Sequence, residues 1–348
     1  MGVAFGGLAL LSWVLYGIYR AAQRSAYELE SLVFLLISIG AAVTAAYDPA
    51  SLYKLLITVV MGMVLFLAMS GVLRDLHLSI RARWPVAIAA GALLAFNVVL
   101  GERIFGAKNW ISIGPLSFQP SELVKIAFIL AGAATLDRLF AKRNLVFTIL
   151  FSAYCVGCLA LMSDFGTALI FFVAFLCIAF LRTGDLPSIA MMVAAAAFGC
   201  GIILRFKPYI ADRFAAWRHA WDYAQDIGYQ QTRTMSAMAS GGLFGVGPKN
   251  GWLKYVGAAN TDLVFGVVGE EFGFLLALCC VAALVIPIVF TLRCAAAARS
   301  SFYTILSCAT AAMLVCQMAL NVLGAVDLLP LTGVTFPFVS MGGSSMIS

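Results

Sequence analysis

Long apolar runs separated by short polar breaks dominate the chain. A helix needs about 20 mostly apolar residues to cross a bilayer. By that measure the pattern predicts spans near 2–19, 31–47, 54–73, 85–101, 121–137, 145–163, 166–182, 187–205, 263–292 and 302–324. The expected fold is all-α, a polytopic membrane helix bundle of about ten spans. One polar stretch, 206–262, is far longer than the other breaks. Within it Phe214, Trp217 and Trp221 recur at helical spacing among Arg213 and Arg218. That predicts an amphipathic helix in the membrane interface, with its aromatics down and its cations toward phosphate headgroups. Residues 272–292 already suffice to cross, so 262–271 is expected to extend that helix or to line a cavity. From Gly342 the chain reads as the opening of a further span and then stops at Ser348, so the last span is expected to be incomplete.

Composition supports a lipid-facing fold. Of 348 residues, 63% are hydrophobic and only 11% charged, against roughly a quarter charged in a soluble domain. This excludes disorder, a secreted disulfide scaffold and a soluble nucleic-acid binder, and no nucleic-acid partner is expected. The net charge of +6 is read by position. Arg20, Arg24, Arg74, Arg81, Arg83, Arg138, Lys142, Arg143, Arg293 and Arg299 fall in alternate loops, and the opposite short loops hold little beyond Lys54, Arg103 and Lys108. Because Lys and Arg favour the cytoplasmic side, the first set faces the cytoplasm and the long loop lies outside. The nine cysteines sit in apolar runs and read as small hydrophobes. Cys155 and Cys158 have no second ligand pair nearby, which argues against a metal site there.

An ionisable residue at membrane depth is expensive and is a functional candidate. Glu122 and Lys125 are three apart and share a helix face. They form either a capped helix start, with Pro120 in its first turn, or a polar wall of a substrate cavity. Asp164 separates two apolar runs, where it caps the next helix or turns inward to pair with Lys125. The cluster Gly241-Gly242-Leu243-Phe244-Gly245-Val246-Gly247 reads as a flexible loop or as a cradle of N–H groups for an anion. Asp262, Glu270 and Glu271 put three acids at a membrane mouth, where they favour a helix start or carry chemistry.

Several of these motifs occur together in one known family. Gly106-Ala107-Lys108-Asn109-Trp110-Ile111 is followed by Phe118-Gln119-Pro120-Ser121-Glu122 and Lys125, and then by Asp164-Phe165-Gly166-Thr167. Further on come Tyr229-Gln230-Gln231, Gly241-Gly242, Thr261-Asp262 and Gly269-Glu270-Glu271-Phe272-Gly273. The chain closes on Leu329-Pro330-x-Thr332-Gly333 and Phe336-Pro337-Phe338-Val339-Ser340-Met341-Gly342-Gly343-Ser344-Ser345. In this order the motifs resemble the SEDS family (shape, elongation, division and sporulation). The resemblance covers 31–348, with 1–30 as an extra N-terminal helix and basic linker. It departs at Asn109, where the family usually has Arg, at Met162-Ser163 in place of Gln-Pro, and at Val256-Gly257-Ala258 in place of Leu-Pro-Glu.

The resemblance implies a peptidoglycan glycosyltransferase of the bacterial cytoplasmic membrane, with its active site facing outside. Its substrate would be lipid II, an undecaprenyl-diphosphate-linked disaccharide-peptide, and its partner a class B penicillin-binding protein. A sugar 4-hydroxyl attacks the anomeric carbon of a second lipid-linked sugar and expels the lipid diphosphate. The family's essential outer-loop Asp maps onto Asp262, the candidate general base. Diphosphate binding is expected of Lys108, Lys125, Arg213 and the glycines around Gly242, with Glu122, Asp164, Glu270 and Glu271 shaping the polar cavity. Trp110, Gln119, Ser121, Gln230, Gln231, Ser344 and Ser345 complete the expected substrate-binding set. A divalent cation, Mg or Mn, is allowed for, although no spacing requires one. The alternatives are a lipid II flippase or other transporter, and an inactive scaffold for a penicillin-binding protein.

Overall fold

A computed structural model describes residues 2–24, 26–104, 107–113, 116–136, 142–206, 208–298 and 300–341. Its helices are α1 (Gly2–Ala21), α2 (Glu28–Tyr47), α3 (Leu52–Arg74), α4 (Leu76–Leu100), α5 (Pro120–Leu136), α6 (Lys142–Leu161), α7 (Phe165–Thr183), α8 (Leu186–Phe206), α9 (Pro208–Ala216), α10 (Tyr229–Gly241), α11 (Val264–Glu271), α12 (Phe274–Ala296) and α13 (Ser301–Ala325). Eight of them, α1–α4, α7, α8, α12 and α13, are long and apolar enough to cross a bilayer. With α5 and α6 they account for the expected ten.

Local chemistry sets the boundaries. Asp164 caps α7 by accepting from the Thr167 N–H at 3.1 Å, and Gly184 closes that helix in the left-handed conformation. Asp75 caps α4 through the His77 and Leu78 N–H groups. Pro120 opens α5, where its missing N–H costs nothing. α13 runs through the middle, packing on α5, α7 and α12. One core joins α4–α7 with α13 around Phe171, Leu159 and Leu94; a second joins α2 and α10–α13 around Leu263 and Phe336. α1, α2 and α3 form a smaller third core. α8 stands apart, with no buried residue in its apolar window.

The structure corrects three expectations. The run 263–292 is not one helix: α11 ends at Glu271 and α12 begins at Phe274. Gly273, with φ 91°, sits where a Cβ would lie 2.3 Å from the Leu243 carbonyl oxygen. Between α4 and α5 the chain forms a small antiparallel meander, β1 (Glu102–Ile104), β2 (Ala107–Ile113) and β3 (Leu116–Phe118). These strands are too short to stand out against the apolar runs around them. Finally, Phe214, Trp217 and Trp221 do not share a helix. α9 stops at Ala216, Arg218 adopts φ 62°, and the Trp217 Nε1–H donates to the Leu328 carbonyl at 3.0 Å. The expected incomplete span from Gly342 lies outside the described residues, as do Gly106, Arg138, Arg299, Ser344 and Ser345.

Candidate active site

A cavity of 1290 Å³ opens at the end of the bundle where α2, α4, α6 and α8 finish. It exceeds the roughly 300–1,000 Å³ of an ordinary small-molecule pocket. Its walls are largely apolar, drawn from α7, α8 and α13, and its polar groups are few. Asp164 and Asp262 supply the carboxylates, Lys54 and Arg213 the cations, and Asn109, Trp110, Gln119, Thr332 and Thr335 further polar atoms.

Asp262 lies in the turn before α11, outside the spans, and its backbone is held firmly. Its N–H donates to the Ala258 carbonyl at 3.0 Å, and its own carbonyl accepts from Asn321 Nδ2 at 2.9 Å. The two preceding carbonyls are also tied to the last loop. Thr261 accepts from Ser340 Oγ at 2.7 Å, and Asn260 from the Met341 N–H at 2.9 Å. Asn321 and Ser340 therefore position this residue; Ser340 lies in the closing motif, whereas nothing in the sequence context of Asn321 marked it. Burial pushes the Asp262 carboxyl up to about 6, and the Asp164 carboxylate pushes it the same way. A hydrogen bond from Thr261 and the Arg213 guanidinium pull it down. The result is a carboxyl with more proton affinity than usual that is still mostly ionised at neutral pH.

Asp164 faces the same cavity. One oxygen caps α7; the other accepts from Asn109 Nδ2 at 2.8 Å and Gln119 Nε2 at 3.1 Å. The meander thus delivers Asn109, Trp110 and Gln119 to the cavity wall. Arg213 reaches it from α9 and donates from Nη1 to the Leu331 carbonyl at 3.0 Å.

The structure brings together Asp262, Asp164, Trp110, Gln119 and Arg213 and places the other expected residues that it describes elsewhere. Lys125 does not reach Asp164. Its Nζ pairs with Glu122 at 2.6 Å and donates to Gln317 Oε1 at 2.9 Å, and both partners of the ion pair are buried away from the cavity lining. Ser121 is fully buried beside them. Lys108 donates to the Val98 and Val99 carbonyls, both at 2.9 Å, and so holds the meander against the end of α4. Glu270 accepts from the Trp252 and Leu253 N–H groups at 2.8 and 3.0 Å, so it anchors the loop before α11. Glu271 is buried beside it, raised by burial and held by the Lys249 and Gly251 N–H groups. Gln230 and Gln231 bond to the Gly257 carbonyl and to Asp327.

The glycine cluster is not an anion cradle around Gly242. The Val246 and Gly247 N–H groups are spent on the Glu270 and Glu271 carbonyls. At Gly245, which has φ 83°, a Cβ would meet the Glu271 carbonyl oxygen at 2.3 Å. The glycines let two backbone segments touch. For a divalent cation the residues present do not make a closed site: among the described residues no group of three or more His, Cys, Asp or Glu comes together. The cavity polar residues that sequence reasoning left without a role include Lys54, Asn109 and Thr335.

Comparison with known proteins adds an independent line. A family described as cell cycle protein, FtsW/RodA/SpoVE, matches residues 13–348, so the match begins inside α1. The chain is 28% identical to the probable peptidoglycan glycosyltransferase FtsW of Saccharophagus degradans, over 96% of the chain and 92% of the relative. It is 32% identical to that of Tolumonas auensis over 76% and 72%, and 29% identical to the peptidoglycan glycosyltransferase RodA of Mycobacterium leprae over 98% and 80%. Among solved structures, a peptidoglycan synthase complex that coordinates polymerization and crosslinking is similar with a TM-score of 0.77 and 26% identity, covering 92% of this chain and 93% of the other. The rod shape determining protein RodA of Thermus thermophilus gives 0.67 at 26% identity, covering 92% of each.

Proposed function

Because the chain belongs to the FtsW/RodA/SpoVE family of cell cycle proteins, which its relatives mark as peptidoglycan glycosyltransferases, we propose that it polymerises lipid II into glycan strands, with Asp262 as general base. The single observation carrying this reading is the large cavity in which a carboxyl of raised proton affinity faces an arginine. Attack of a sugar 4-hydroxyl needs an acceptor for its proton, and Asp262 supplies one. As the hydroxyl oxygen bonds to the anomeric carbon, the bond from that carbon to the diphosphate oxygen breaks, and its electron pair leaves with the lipid diphosphate. Arg213 stabilises that developing charge. Asp164 fixes Gln119 and Asn109 at the wall where the sugars lie, and Trp110 offers a ring face to them.

The proposed sidedness rests on charge, although α8 carries Arg205 in its last turn at the cavity end. α1, α3, α7 and α12 each end in an arginine, Arg20, Arg74, Arg182 and Arg293, at the end of the bundle away from the cavity. By the positive-inside rule that end is cytoplasmic, and the cavity opens to the outer face of the cytoplasmic membrane. A class B penicillin-binding protein is the proposed partner, supported by the similar synthase complex.

The chain in lipid nanodiscs, supplied with lipid II and its cross-linking partner, is expected to make glycan strands. General-base assistance typically contributes about 10²–10⁴-fold, so Asp262→Asn should lose at least a hundredfold while folding normally. Unchanged polymerisation by that variant removes Asp262 from the role.

A further inference from the structure

Lys54 reads from the sequence only as a loop charge of topological meaning. In the structure it stands in the first turn of α3 and lines the cavity, beside Tyr47, Ser51 and Thr58. Among the described residues it and Arg213 are the two cations of the cavity wall. The lysines expected to bind diphosphate are already committed, Lys125 to Glu122 and Gln317, Lys108 to two carbonyls of α4. Lys54 has no hydrogen bond or ion pair with any described residue. Arg213 spends one N–H on Leu331, leaving most of its five donors uncommitted. An ammonium on a largely apolar wall without a carboxylate beside it is costly unless the counter-charge arrives with the ligand.

We propose that Lys54 and Arg213 together form the diphosphate site for the lipid-linked substrate, Lys54 from the α2–α3 side and Arg213 from the outer loop. This deepens the polymerase reading and rests on it. Lysine acts as a mobile point charge on phosphate and arginine as a fixed fork, so the pair can follow a diphosphate whose charge grows as the sugar departs. The apolar walls between them take the polyprenyl chain.

The parent, Lys54→Met and Lys54→Arg are compared in nanodiscs for binding of undecaprenyl diphosphate, uncharged undecaprenol and inorganic pyrophosphate. The parent should favour the lipid diphosphate over undecaprenol. Lys54→Met should lose at least tenfold of the lipid-diphosphate affinity, with a fall in kcat/KM for lipid II at least as large. Lys54→Arg should restore both, and undecaprenol binding should not move. Equal undecaprenyl diphosphate affinity in the parent and Lys54→Met overturns the site. Pyrophosphate competing as strongly as the lipid diphosphate overturns its lipid-linked character. A parent that binds the lipid diphosphate with this Lys54 dependence yet makes no glycan sinks the polymerase reading and leaves the site standing.

Discussion

Replacing Lys125 by Met separates a substrate cation from a structural one. Lys125 and Glu122 are 3% and 4% exposed, their charged atoms are 2.6 Å apart, and Gln317 links the pair to the Thr335 carbonyl. Methionine fills much the same volume but leaves the Glu122 carboxylate buried without its cation. Breaking a buried pair in this way typically costs about 3–5 kcal/mol, whereas replacing both members by neutral groups is often close to neutral. The expected order of unfolding midpoints, followed by intrinsic fluorescence in detergent, is parent, then Glu122→Gln/Lys125→Met slightly below it, then Lys125→Met well below both. Lipid II KM, measured on whatever folded protein remains, should stay within about twofold in the double variant. The reasoning fails if Lys125→Met unfolds with the parent while its lipid II KM rises tenfold, because Lys125 would then be holding substrate.

The remaining expectations are briefer. As the proposed base, Asp262 would accept a proton only when ionised, and burial raises its carboxyl to about 6, so polymerisation should rise with pH through about 6 and flatten above. Arg213 lowers that value, so Arg213→Gln should move the rise to higher pH. A pH–rate profile of the parent with its rise near 4, or a downward shift in the variant, contradicts the assignment. Gly245→Ala must place a Cβ 2.3 Å from the Glu271 carbonyl oxygen at φ 83°, whereas Gly242→Ala at φ 56° meets nothing within 4 Å. The second carries only the cost of a glycine-favouring backbone, φ 56° and ψ −146°, about 1–3 kcal/mol, and the first should cost clearly more, read as unfolding midpoints. Gly242→Ala should also leave lipid II KM unchanged, and a tenfold rise would restore the anion-cradle reading. At Gly333 a Cβ would stand 3.3 Å from Asp262 Oδ2 at φ 75°, so Gly333→Ala should lower kcat more than it raises KM.

The spans were legible because lipid imposes one strong rule, length of apolar run, and the ten runs follow it. What that rule cannot show is a helix that stops for a local reason inside an apolar run. The break at Phe272-Gly273 exists because the 241–247 segment crosses there backbone to backbone, a contact that no periodicity records. The meander at 102–118 escaped for a related reason, since three short strands bury too little to leave a clear alternation. Trp217 and Trp221 followed a helical pattern, yet hydrogen bonds from the Arg218 and Ala220 N–H groups to Asp327 pull the chain out of the helix.

Charge was harder to read than hydropathy because scarcity makes every ionised group in a membrane protein look functional. Lys125, Lys108, Glu270 and Lys54 are indistinguishable on cost alone, and they differ in whether the protein itself supplies the partner. Glu122 satisfies Lys125, the end of α4 satisfies Lys108, and the Trp252 and Leu253 N–H groups satisfy Glu270. Lys54 and Asp262 remain, each facing a cavity with its charge incompletely met. The same logic explains how Asp262 is held. Asp262 could be picked out by its motif, but the groups that fix the carbonyls of 260–262 come from Asn321, Ser340 and Met341. An Asn321→Ala variant leaves the motif untouched and removes one of these anchors. It should therefore lower kcat with little change in KM, since the proposed base, not the substrate contact, is what moves.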